Sequence, residues 1–146
     1  MNCADSVWLF DVDGTLIGSV RSDRLRPGAE RLIRTLCARG KTLVVWSAGG
    51  ADYAERMMAR FGLDGFVSAF YSKQARGHDG RYTIDHFLPE HWPGTIVDDA
   101  AHEAPIAPRV LDVSQFLGSN QHDKGLDEAL RLAGAGANGA TLVKSI

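Results

Sequence analysis

The sequence predicts an α/β domain: a parallel sheet of about five strands with helices on both faces. Three observations carry this expectation. Short apolar runs rich in β-favouring residues recur along the chain and alternate with segments of helical period. Three of these runs end in polar residues, at Asp11, Ser47 and Asp98, as strands do when they deliver side chains to one edge of a parallel sheet. The length of 146 residues suits one domain with a substantial core, and neither an internal repeat nor a second-domain boundary interrupts it.

The first strand is read at Val7 to Phe10, a buried run leading into Asp11-Val12-Asp13-Gly14-Thr15-Leu16. Side chains alternate along a strand, so Asp11 and Asp13 share a face if the strand continues that far. Residues 17–26, with Gly18, Ser19 and several charges, read as a flap or short hairpin. Pro27-Gly28 opens a helix in which Leu32, Ile33, Leu36 and Cys37 recur at helical spacing, which places Cys37 in the core, and Gly40 ends it. Thr42 to Trp46 is a second buried strand ending at Ser47; Ala48-Gly49-Gly50 is a turn, and Ala51 to Phe61 a second helix. Phe66 to Tyr71 reads as the third strand. Residues 72–94 form a polar insertion near the sheet edge, with a turn signal at His78-Asp79-Gly80. Thr95 to Val97 and Arg109 to Val113 supply the last strands, and Asp123 is expected to cap a helix over Gly125 to Ala133. Residues 134–140 read as a flexible linker before a C-terminal segment, 141–146.

Composition narrows the function classes. The formal net charge of −2 provides no general electrostatic footprint for nucleic acid, and no apolar run reaches membrane-spanning length. The N-terminus lacks a basic region before its first apolar run, so no signal peptide is expected. Cys3 and Cys37 have no metal-ligand spacing and are expected as reduced thiols, consistent with a cytoplasmic protein. Two carboxylates at a strand end repel one another unless a cation or donors hold them. A Mg²⁺ ion, which uses few carboxylates and keeps sites for water and phosphate, suits Asp11 and Asp13. The same applies to Asp98 and Asp99. Ser47 and the small turn behind it can donate a hydroxyl and backbone N–H groups to an anion.

The run Phe10-Asp11-Val12-Asp13-Gly14-Thr15-Leu16 resembles the first motif of the haloacid dehalogenase (HAD) superfamily, whose members are mostly Mg²⁺-dependent phosphatases on a Rossmann-like fold. Ser47 matches its second motif and Asp98-Asp99 its fourth. The third motif requires a basic residue. Lys73 follows the third strand and is the choice here, with Arg76 and Arg81 as alternatives. Capless protein phosphatases of the superfamily carry a lysine just after Gly-x-Tyr, but in Gly80-Arg81-Tyr82-Thr83-Ile84 that place holds Ile84.

The resemblance implies a phosphomonoesterase acting through an aspartyl-phosphate intermediate, with Mg²⁺ as cofactor. Asp11 is the implied nucleophile and Asp13 the acid and base, and Thr15 orders the loop. Asp11, Asp98, Asp99 and the Asp13 carbonyl hold the metal. Gly14, Thr15, Ser47, Ala48, Gly49, Lys73 and Arg76 bind phosphate. No segment is long enough for a folded cap, so the expected substrate is a phosphorylated small molecule or macromolecule, with self-association as another way to complete the site. The insertion residues Arg76, His78, Arg81, Tyr82, His86, His91 and Trp92 form the expected substrate-reading surface. Competing readings are a nucleic-acid-end phosphatase using a patch of Arg21, Arg24 and Arg26, a protein phosphatase, and a non-catalytic phosphate- or metal-binding module.

Overall fold

Five parallel strands lie in the order β3-β2-β1-β4-β5, which puts the opening apolar run at the centre. The computed structural model describes residues 6–134. The strands are β1 (Val7–Asp11), β2 (Thr42–Ser47), β3 (Ala69–Ser72), β4 (Thr95–Asp98) and β5 (Arg109–Asp112), and the helices are α1 (Ala29–Ala38), α2 (Ala51–Arg60) and α3 (Asp127–Ala133). Every residue of β1 is buried, as a strand paired on both sides and covered on both faces requires. Its ladders pair Asp11 with Trp46 of β2 and Phe10 with Val97 of β4.

The strand order fixes the layering. From β1 to β3 the chain steps one way across the sheet, so right-handed crossovers place α1 and α2 on one face. It then crosses back to β4 and β5, which puts those connections on the opposite face. Alternation divides the strands accordingly. Trp8, Phe10, Leu43 and Val45 face Leu32, Ile33 and Leu36 of α1, Met57 and Met58 of α2, and Leu130 of α3. Leu9, Val44, Trp46 and Ile96 face Phe87 and Ala104 on the other side. Helical segments thus flank both faces unequally: three α-helices cover one, and the single 3-10 turns Pro89–His91 and Ala101–Glu103 lie in the connections over the other. The described residues form a single Rossmann-like α/β domain. Among them, no helix is long and apolar enough to cross a membrane.

Several expectations change in detail. The third strand begins at Ala69, because residues Asp64–Phe66 are spent on a 3-10 turn that brings the chain round from α2. Cys37 is exposed: Ala29, Leu32, Ile33 and Leu36 complete the buried stripe of α1, and the next residue points outward. Asp123 does not cap α3, which begins at Asp127 behind Leu126 with no side-chain cap. Its carboxylate instead accepts from the Gly125 N–H and from Arg26. The flap forms as a hairpin, with Ile17 bridged to Leu25, and it is tied down where Ser19 and Val20 N–H donate to the Phe116 and Leu117 carbonyls. Cys3 and the residues expected as linker and C-terminal segment from 135 onward lie outside the described residues.

Candidate active site

β1 and β4 end side by side at the carboxyl edge of the sheet, where the strand order reverses and a ligand crevice is expected. Asp11 ends β1 and Asp98 ends β4, and both are buried. Beyond β1 the chain coils back on itself, with Thr15, Leu16 and Ile17 N–H all donating to the Val12 carbonyl. This turn aims the fully buried Thr15 hydroxyl at Asp11 Oδ2, 3.0 Å away, and Thr15 Oγ1 in turn accepts the Asp99 N–H at 3.0 Å. Gly14 sits there at φ 83 with the Asp99 carboxylate against its Cα, so a side chain would be strained and would strike that carboxylate.

Lys73 follows β3 directly, and its N–H donates to the Ser47 carbonyl. Its ammonium lies 2.9 Å from Asp11 Oδ1 and 3.5 Å from Asp98 Oδ2. It also lies 5.4 Å and 5.2 Å from the ring centroids of Trp46 and Tyr82, so aromatic faces line its other side. Of the three basic candidates, only Lys73 meets these carboxylates. Arg76 pairs with Glu103 at 2.7 Å and with the Tyr82 hydroxyl, while Arg81 donates to the Ala101 and Ala104 carbonyls. Both brace the insertion. His86 and His91 are also engaged, with the Ser72 carbonyl and the Tyr71 hydroxyl respectively.

Burial dominates the electrostatics. It pushes Asp11 from an ordinary 3.8 up to about 6, even though Lys73 pulls the other way. Asp98 is raised by burial and then by the Asp11 charge, and Asp99 is raised chiefly by burial. Burial draws the Lys73 ammonium down, but Asp11 and Asp98 outweigh it and hold its pKa above the usual value. Asp11, Asp98 and Asp99 each offer an oxygen within 4.8 Å of the others, so three carboxylates face one ammonium. A hard cation fits this excess of desolvated oxygen charge, and the donor set is of the kind Mg²⁺ takes.

Asp13 diverges from Asp11 because the strand ends first; its carboxylate accepts from the Tyr53 hydroxyl on α2 at 2.8 Å. Ser47 is buried at the end of β2, and its Oγ accepts the Gly49 N–H at 3.0 Å, which leaves the hydroxyl proton to point elsewhere. Ala48 and Gly49 are exposed beside it, but the expected anion donors of this turn are partly taken: the Gly49 N–H bonds to Ser47 Oγ and the Gly50 N–H to the Ser47 carbonyl.

Sequence reasoning missed two residues and misplaced a third. Tyr53 reaches Asp13. Ser72 accepts the Ala51 N–H at the start of α2. Arg26, fully buried, donates to the Gly14 and Thr15 carbonyls, to Ser114 and to Asp123. Arg26 therefore belongs to no surface patch with Arg21 and Arg24. Its signal in the sequence was its place next to Pro27, at the boundary between flap and helix.

No protein-family model matches this chain. No curated protein matches it either. Among solved structures, an uncharacterized protein from Listeria monocytogenes serotype 4b is similar over 88% of this chain and 98% of its own, at 15% identity and a TM-score of 0.50. At that identity the likeness speaks to the α/β fold alone.

Proposed function

We propose that this protein is a Mg²⁺-dependent phosphomonoester hydrolase of the HAD type, working through an aspartyl-phosphate on Asp11. One observation carries the reading: Asp11 is buried at a strand end, held between Lys73 and Thr15, with Asp98 and Asp99 beside it. A purely structural ion pair gains nothing from two further desolvated carboxylates.

Asp11 Oδ1 or Oδ2 attacks phosphorus, and the bond from phosphorus to the ester oxygen breaks. Asp13 gives its proton to the departing oxygen. It then takes a proton from the water that attacks phosphorus, releasing phosphate and restoring Asp11. Lys73, the Ser47 hydroxyl and the Ala48 N–H stabilise the charge on the equatorial oxygens. Asp11, Asp98, Asp99 and the Asp13 carbonyl would hold Mg²⁺, whose charge offsets the repulsion between carboxylate and phosphate.

The test is hydrolysis of p-nitrophenyl phosphate with and without Mg²⁺ by the wild type and by Asp11→Asn. Turnover is expected to need Mg²⁺ and to fall by about 10⁴-fold or more in the variant, with the fold retained. Wild-type-like turnover in Asp11→Asn would overturn the reading.

A further inference from the structure

Asp13 stands where the main-chain ladder has stopped. Among the described residues its one strand-like contact is an isolated bridge to Ile17, and it is partly exposed. A carboxylate in such a place is free to change rotamer unless something outside the loop holds it. That hold comes from 40 positions further along the chain, where the Tyr53 hydroxyl donates to Asp13 Oδ1 at 2.8 Å. The ring that carries the hydroxyl is itself fixed. It packs against the helix-face core and lies over Gly49, where an added Cβ would come within 2.9 Å of Tyr53 Cδ2 and 3.1 Å of Cγ. Gly49 thus makes room for the tyrosine while its own N–H bonds to Ser47. The turn that holds the Ser47 hydroxyl and the brace on Asp13 are one unit.

We propose that Tyr53 is a positioning residue for acid–base transfer: by holding Asp13 Oδ1 it presents Oδ2 to the leaving oxygen, and so equips this site for phosphomonoesters of weakly acidic alcohols. The inference rests on the phosphatase reading. As the bond from phosphorus to the ester oxygen breaks, the electron pair stays on that oxygen and the Oδ2 proton passes to it. In the second half-reaction the same oxygen recovers a proton from water. A phenol as acidic as p-nitrophenol leaves without needing that proton, whereas an alkoxide does not. In kcat/KM, which reports the steps up to departure of the ester oxygen, the positioning role therefore separates the two substrate types, while general damage to the site lowers both.

The test compares the wild type, Tyr53→Phe and Asp13→Asn on glycerol 2-phosphate and p-nitrophenyl phosphate in saturating Mg²⁺. Tyr53→Phe keeps the ring over Gly49, and its turnover of p-nitrophenyl phosphate reports whether the site is folded. The expected result is a kcat/KM on the alkyl ester lower by about 10–100-fold, against a loss under about 3-fold in kcat/KM on the aryl ester, while any slowing of aspartyl-phosphate hydrolysis enters kcat for both esters alike. Asp13→Asn is expected to show the same split, but larger. Equal losses in kcat/KM on both esters in Tyr53→Phe, or no loss on either, overturn the positioning role while the phosphatase reading stands. A wild type that hydrolyses neither ester overturns the phosphatase reading itself.

Discussion

Lys73 is the residue through which the site's charge balance is most directly tested. Its side chain is nearly buried between Asp11 and Asp98. Replacing it with methionine keeps the apolar stem and removes the counter-charge, which leaves the carboxylates desolvated and unopposed. Breaking a buried pair in this way costs about 3–5 kcal/mol. The expected outcome in urea denaturation is a loss of that order without divalent cation and a smaller one with Mg²⁺, since the ion supplies the missing charge. An equal loss in both conditions would speak against a cation at Asp11, Asp98 and Asp99. At this scale the sequence was legible where a candidate site residue ends a strand. Asp11, Ser47 and Asp98 follow apolar runs, and Lys73 follows a strand whose end lies next to Ser47. Tyr53 was not legible, because a tyrosine in the first turns of a helix looks like any surface aromatic, and its partner lies on another element. Cys37 was misread because helical spacing alone does not define the edge of a buried stripe.

At the scale of elements, Arg26 joins what the chain order separates. Its guanidinium binds the carbonyls of Gly14 and Thr15 beyond β1, that of Ser114 beyond β5, and the Asp123 carboxylate ahead of α3. The five donors of an arginine fork satisfy this set, and a lysine does not. Arg26→Met is expected to cost about 3–5 kcal/mol. Hydrogen exchange should show the 12–16 and 114–125 segments opening well before α1 and β2. Uniform loss of protection would mean that the arginine supports the core as a whole. The sequence placed each described strand and α-helix but missed the 3-10 turns and erred at the elements' ends. The connection from α2 to β3 needed a 3-10 turn where apolar residues looked like strand, and Asp123 was matched to a nearby helix although its partner is 97 positions away. A cap is a local signal, and a distant ion pair leaves none.

For the whole molecule, the sequence made the fold class legible because strand and helix periods alternate and handedness then dictates the layers. The unequal covering of the two faces was less legible, since Phe87 and Ala104 seal one of them from irregular chain. The buried carboxylates also make stability depend on pH. Asp11 is raised to about 6 in the fold, so between about pH 4 and pH 6 the native state binds more protons than the unfolded chain. Metal-free protein is therefore expected to lose stability as pH rises through that window, with Asp98 and Asp99 acting in the same direction. Mg²⁺ takes the deprotonated carboxylates, so its stabilisation, read as a rise in Tm, should be larger at about pH 7 than at about pH 5. A Tm that climbs with pH in the absence of metal would contradict this. The position of β1 has a final consequence. It is stitched to β2 on one side and β4 on the other, so the residue at its tip can be released only by tearing the sheet from both directions. Asp11 thus rides on the part of the molecule expected to open last, and whatever breathing the sheet edge undergoes falls to the flap, the turns and the insertion around a stationary carboxylate.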